Sequence, residues 1–164
     1  MVSDSSTEHR EGGKRFVSKN MKGKYFHSVD SKGRLIVPSK FRDSLGSEFV
    51  MTLGLEDCIY LYSQEEWDKF TERLNQLGNS KTENRRLKRY FQSNAVDCNI
   101  DSQGRTVIPA DIRADVGIEK DVVIIGNGEK AEVWSAAAWQ ETKMDSKQTR
   151  EEIRAMLEES DIDF

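Results

Sequence analysis

A chain of 164 residues has room for one ordinary domain, or for two very small ones that share a core. With 36% hydrophobic and 33% charged residues and a formal net charge of −4, it reads as a soluble globular protein with polar ends, which argues against a uniformly basic polyanion binder. No apolar run approaches the roughly 20 residues of a membrane span, and the N-terminus lacks an apolar signal-peptide core. Cys58 and Cys98 sit in apolar-patterned stretches, as buried free thiols of a reducing cytoplasm do; a disulfide is the lesser alternative.

In chain order, residues 1–20 are polar and aperiodic, and are expected to form a disordered arm whose Arg10, Lys14, Arg15 and Lys19 are solvated or touch a polyanion. Tyr25 to Val29 is expected as a strand. Asp30 to Gly33 is turn chemistry, because Asp can bond its own downstream backbone and Gly supplies positive φ. Arg34 to Val37 then returns as the second strand of a hairpin. Pro38 ends the pairing and opens a two-turn helix over Ser39 to Leu45, with Phe41 and Leu45 on one face and Gly46 as its cap. Strands are expected at Phe49 to Leu53 and Cys58 to Tyr62. Ser63-Gln64-Glu65-Glu66 matches a capping box, and the helix after it carries Trp67, Phe70, Leu74 and Leu77 on one stripe up to Gly78. Residues 79–94 bridge to the second half of the chain through a linker helix starting at Thr82.

The plan then recurs. Asp30-Ser31-Lys32-Gly33-Arg34-Leu35-Ile36-Val37-Pro38 reappears 71 positions later as Asp101-Ser102-Gln103-Gly104-Arg105-Thr106-Val107-Ile108-Pro109. Gly46 is matched by Gly117 and, after one extra residue, Gly54 by Gly126, Tyr62-Ser63 by Trp134-Ser135 and Trp67 by Trp139. The second copy predicts strands at Ala95 to Ile100, Arg105 to Ile108, Val122 to Ile125 and Ala131 to Trp134. Asn127-Gly128 marks a tight turn, with helices at 109–116 and after Ser135. The chain is therefore an α+β tandem duplication, with modules at 21–78 and 95–142 and an acidic tail at 143–164 that is partly helical. A module of about 50 residues buries too little surface to stand alone. The two copies must pack on each other or on other subunits.

Enzymatic readings fail on inventory. His9 and His27 lie in the arm and the first strand, and neither points to a nucleophile–base pair. The two His and two Cys do not have zinc spacing. Gly126-Asn127-Gly128 lacks the third glycine and the following helix of a dinucleotide loop. Nothing calls for a cofactor, a metal or a small-molecule substrate. The unevenness of charge is more informative. Residues 30–42 carry a net +3 and residues 81–89 a net +4, whereas 141–164 carry −4. At short range local patches decide which partners are attracted.

The Asp-x-x-x-Arg pairs, Asp30 with Arg34 and Asp101 with Arg105, flank the two turns. The Asp residues are read first as turn formers that pair with the Arg across the turn, and Gly33 and Gly104 as the residues that open the backbone there. The Arg residues fit DNA contact, since a narrow tip bearing Lys32 and Arg34 can approach a groove and Arg can grip phosphate or guanine with two parallel bonds. Candidate DNA contacts are thus Lys32, Arg34, Arg105, Lys40 and Arg42. The second copy has Gln103 in place of Lys32 and an acidic Asp111, so the first is the stronger candidate. For Arg42 and Arg113, at equivalent helix positions, two roles stay open: capping a carboxylate between modules, or reaching phosphate. Arg85, Arg86, Lys88 and Arg89 are read as a solvated or intersubunit face ahead of a DNA face.

The doubled motif, with the Leu-Tyr-Ser…Trp and Val-Trp-Ser…Trp segments, resembles the MraZ family of bacterial transcriptional regulators from about Met21 to Thr142. The resemblance implies two AbrB-like swapped-hairpin modules, of the double-psi barrel type, with flanking helices. It implies a homo-oligomeric ring, in the cytoplasm and on the nucleoid, bound to double-stranded DNA at direct repeats upstream of the division and cell-wall gene cluster and restraining transcription. The family's motif falls here on Asp30 and Arg34 and on Asp101 and Arg105. The rival class is a ring-forming assembly protein that binds a protein partner; an enzyme comes third.

Overall fold

The structure, a computed structural model, describes residues 8–11, 14–17, 20–142 and 146–163. Near the N-terminus, β1 (Glu8–Glu11) and β2 (Lys14–Val17) pair antiparallel with Glu11 opposite Lys14. Their pairing departs from the aperiodic arm that composition suggests. Residues 1–7, 12–13 and 18–19 of that arm lie outside the described residues.

The first repeat supplies β3 (Lys24–Ser28), β4 (Arg34–Ile36), α1 (Ser39–Leu45), β5 (Glu48–Leu53), β6 (Cys58–Ser63) and α2 (Gln64–Gln76), and α3 (Thr82–Ser93) leads out of it. The second supplies β7 (Val96–Asn99), β8 (Arg105–Val107), α4 (Ala110–Asp115), β9 (Asp121–Asn127), β10 (Lys130–Ser135) and α5 (Ala136–Thr142), and α6 (Ser146–Glu159) comes last. Local chemistry accounts for the helix starts. The Ser63 hydroxyl oxygen accepts from the Glu66 N–H (3.1 Å) and the Ser135 hydroxyl oxygen from the Ala138 N–H (3.0 Å), each satisfying one amide left free in a first helical turn.

The strands do not pair as local order suggests. A six-stranded antiparallel sheet runs β3-β9-β10-β6-β5-β7, and β4 pairs with β8 in a separate two-stranded ribbon. The expected hairpins β5–β6 and β9–β10 form. The expected β3–β4 hairpin survives only as its turn, after which β3 goes to β9 and β4 to β8. Burial supplies the reason. Leu35 is the one inward residue of the three-residue β4, and pairing with β8 sets it opposite Thr106, with both enclosed at 0% and 3% exposure. Turn chemistry fixes the reversal, while tertiary packing selects the partner.

Both central pairings are unchanged by exchanging the repeats. Arg34 faces Val107 and Ile36 faces Arg105, and these are corresponding positions about a Leu35–Thr106 centre. Cys58 faces Trp134 and Tyr62 faces Lys130 about a Tyr60–Glu132 centre. The molecule thus has an internal approximate twofold relation.

Alternation along β6 sorts the core into two faces. Ile59 and Leu61 join one cluster with Leu35, Val37, Phe41, Phe49, Ile108, Ile112, Val122 and Ile124, drawn from both repeats. Cys58, Tyr60 and Tyr62 join another with Trp134, Trp67 and Trp139. Each repeat therefore completes the other's core, as its small size requires. Outside the sheet, α3 closes over β5 and α2. The Phe91 ring meets the Phe70 ring edge-on at 4.9 Å, and the Tyr90 hydroxyl donates to the Gly54 carbonyl (2.6 Å).

Candidate nucleic-acid interface

The two motif turns are built alike. In the first, Asp30 Oδ1 accepts from the N–H groups of Lys32 and Arg34, both at 2.9 Å, and Gly33 donates to the Asp30 carbonyl (3.0 Å). Asp101 Oδ1 accepts in the same way from Gln103 and Arg105, both at 2.9 Å. Gly33 and Gly104 each sit at φ 78°, where a side chain is disfavoured. The carboxylates' second oxygens take the arginines: Arg34 Nε donates to Asp30 Oδ2 at 2.7 Å and Arg105 Nε to Asp101 Oδ2 at 2.9 Å. Backbone N–H donation, from Arg34 and Arg105 above all, holds both carboxyls below the usual aspartate value.

These ion pairs lie in solvent, where such pairs contribute little to stability. Their consequence is directional. With Nε engaged, each guanidinium is fixed in orientation and its terminal NH1–NH2 edge is the one turned to a further acceptor.

The turns lead directly into the β4–β8 ribbon. Leu35 and Thr106 point inward, so Arg34, Ile36, Arg105 and Val107 share the outer face. Each arginine stands across from an apolar residue of the other repeat. Lys32 and Lys40 are exposed close by in sequence, on the first turn and on α1.

Arg42 and Arg113 each reach across to the other repeat's turn. Arg42 Nε donates to the Val37 carbonyl at 2.9 Å. Its guanidinium lies over Gly104, so tightly that an added Cβ there would collide with it. Arg113 lies over Gly33, its Cζ 3.0 Å from where a Cβ would be. Each repeat's helix arginine thus covers the other repeat's turn. Reading the sequence one repeat at a time hides this, since the contact crosses between copies. Of the basic cluster on α3, Arg85 binds the carbonyls of Asn79 (2.7 Å) and Ser80 (3.2 Å), and Lys88 binds the Leu77 carbonyl (2.6 Å) and the Asn79 side chain (2.7 Å). Lys88 therefore closes the C-terminal end of α2, where cations are favoured, and Arg85 ties down the loop between α2 and α3. Arg86 and Arg89 remain exposed.

Among the described residues no group of three His, Cys, Asp or Glu side chains is placed to hold a metal, and no helix is long and apolar enough to cross a membrane. Both cysteines are free thiols. Burial pushes Cys58 up to about 12 and Cys98 up to about 11, which suppresses the nucleophilic thiolate.

The comparisons with known proteins agree with the doubled architecture. The family model described as "MraZ protein, putative antitoxin-like" matches twice, over residues 21–90 and 91–158. The chain belongs to the MraZ family. Among curated MraZ relatives, each named "Transcriptional regulator MraZ", that of Lachnoclostridium phytofermentans is 45% identical over 142 residues, covering 87% of this chain and 98% of the relative. Those of Thermoanaerobacter sp. (strain X514) and Pediococcus pentosaceus are 43% and 42% identical, covering 85% and 87% of this chain and 98% and 96% of theirs. MraZ membership thus spans both turns and the ribbon between them.

Proposed function

We propose that this chain is a sequence-specific DNA-binding transcriptional regulator, the role for which its MraZ relatives are named. One observation carries the proposal: two arginines, oriented by their own turn aspartates, stand on one exposed face of a two-stranded ribbon. A two-stranded ribbon fits the major groove, and Arg is the side chain that most often reads guanine there. Arg34, Arg105, Lys32, Lys40 and Arg42 make the contacts, and Arg42 also braces the second turn. The first turn dominates, because Lys32 is replaced by Gln103 in the second.

The reading extends to architecture and target. The exchange of strands between repeats supports swapped-hairpin modules of the AbrB type, at 21–78 and 95–142 and bridged by 79–94. A net charge of −4 leaves each subunit few phosphate contacts. A ring of subunits on direct repeats would combine them, since linked sites can gain ~10²–10⁴ in avidity when spacing matches. The target is then the region upstream of the division and cell-wall gene cluster, with transcription restrained, in a cytoplasmic, nucleoid-associated protein.

Footprinting of purified protein on that upstream DNA, with subunit count from light scattering, tests the proposal. Protection at regularly spaced repeats is expected, as is a steep fall in affinity with added salt as counterions are released. A salt-insensitive complex with a protein, and no protected DNA, would instead favour the assembly-protein alternative.

A further inference from the structure

Two residues on the ribbon face are left without a role by the arginine contacts. Ile36 is 45% exposed and Val107 54%. Both are β-branched and apolar and they are corresponding positions in the two repeats; Ile36 also lines a shallow pocket with the exposed Phe26. Each is the second residue after a motif arginine, so it shares that arginine's face. Each also stands directly opposite the other repeat's arginine, Ile36 across from Arg105 and Val107 across from Arg34. Opposed side chains on an antiparallel pair have Cβ atoms about 4.5–5.5 Å apart. The outer face is therefore a square in which two arginines and two apolar groups alternate at the corners.

That pattern has a chemical counterpart in the major groove. Guanine offers two acceptors to Arg, whereas thymine offers one acceptor and the C5-methyl group, which only an apolar contact can read. An isolated apolar patch could equally meet a protein. Here each apolar residue stands opposite an arginine on the paired strand, an alternation that fits a groove presenting acceptors and methyls together.

We infer that Ile36 and Val107 are specificity-determining residues that contact thymine C5-methyl groups while Arg34 and Arg105 engage guanine. This rests on the ribbon being the DNA-reading surface. The two corners differ by one methylene, so Ile36 makes the larger contact. The second repeat contributes to readout through Val107 even though its turn has lost its lysine.

The test uses the full chain. Purified protein selects duplexes from a random-sequence library, and the winning duplex is resynthesised with uracil in place of thymine, which removes only the methyl groups. Wild-type affinity is expected to fall roughly 5- to 20-fold, in the range of a lost base contact. The Ile36→Ala/Val107→Ala double variant should bind the thymine duplex more weakly and bind both duplexes alike, and Ile36→Val should keep the discrimination. Equal wild-type affinity for the two duplexes overturns the inference but leaves DNA binding standing. So does thymine preference that persists in the double variant, or a double variant that loses subunits by light scattering. Failure to enrich any duplex would instead overturn the proposed function.

Discussion

The guanidinium of Arg42, on the first repeat's short helix, occupies the space directly over Gly104 in the second repeat's turn. Gly104 therefore has two reasons to be glycine: its φ of 78° and the arginine above it. Gly33 has the same φ and a looser cover, with Arg113 Cζ at 3.0 Å and the Ile108 carbonyl oxygen at 3.1 Å from an added Cβ. The left-handed conformation alone costs a side chain about 1–2 kcal/mol. Displacing Arg42 would also sacrifice its bond to the Val37 carbonyl, worth about another 1 kcal/mol. Gly104→Ala should thus destabilise by roughly 2–3 kcal/mol and Gly33→Ala by roughly 1–2 kcal/mol. Denaturant unfolding of the two variants checks the order.

Arg34→Ala should weaken binding to cognate duplex roughly 10- to 100-fold, as expected for a lost bidentate guanine contact, and leave the subunit count unchanged. Arg34→Lys keeps the charge but lacks the planar fork, and should not restore binding. Arg105→Ala should cost less. Gel-shift titrations of the three variants decide, and wild-type affinity in Arg34→Ala would sink the assignment.

Because Asp30 and Asp101 are held below the ordinary 3.8 by backbone N–H donors, their contribution is fully present above that value and lost as pH falls through the lower folded one. Stability from these turns should be flat around neutrality and decline only in acid. An Asp30→Asn/Asp101→Asn variant should show a shallower acid decline, read by thermal unfolding across pH.

The two thiols should be inert in the folded protein. With Cys58 pushed up to about 12 and Cys98 up to about 11, little thiolate exists near neutrality. Alkylation in native buffer should be slow at both, Cys98 reacting first because it is only half-buried, and fast at both in denaturant. Mass spectrometry over time reads this.

On α3, Lys88→Ala should destabilise by about 1 kcal/mol through loss of the bond to the Leu77 carbonyl. Arg86→Ala, at an exposed position, should stay within about 0.5 kcal/mol of wild type. Calorimetry separates them.

Much of this was legible in the residues. Pro38 and Gly46 bracket α1, Ser63 starts α2, and the β9–β10 hairpin turns at Gly128-Glu129, one position beyond the Asn127-Gly128 expected, because each signal is satisfied within a few residues of itself. The Asp30–Arg34 pairing was legible for the same reason. What stayed hidden depends on residues some 70 positions apart. The turn after β3 looks identical whether β4 folds back on β3 or departs to β8, and nothing near Leu35 announces Thr106 as its neighbour. Arg42 and Arg113 were open for that reason too. The outward Ile36 and Val107 had a signal, the shared Arg-x-apolar alternation, but its meaning depends on which strand lies alongside.

The symmetric registers carry one more consequence. Since Arg34 faces the counterpart of Ile36, and Ile36 the counterpart of Arg34, the second repeat occupies the place that another first repeat could take. The chain is in effect a homodimer written as a single polypeptide. Fusion frees its halves to diverge, so one can keep the basic tip while the other trades charge for fit. It also removes the concentration dependence that a separate pair of chains would face at each assembly.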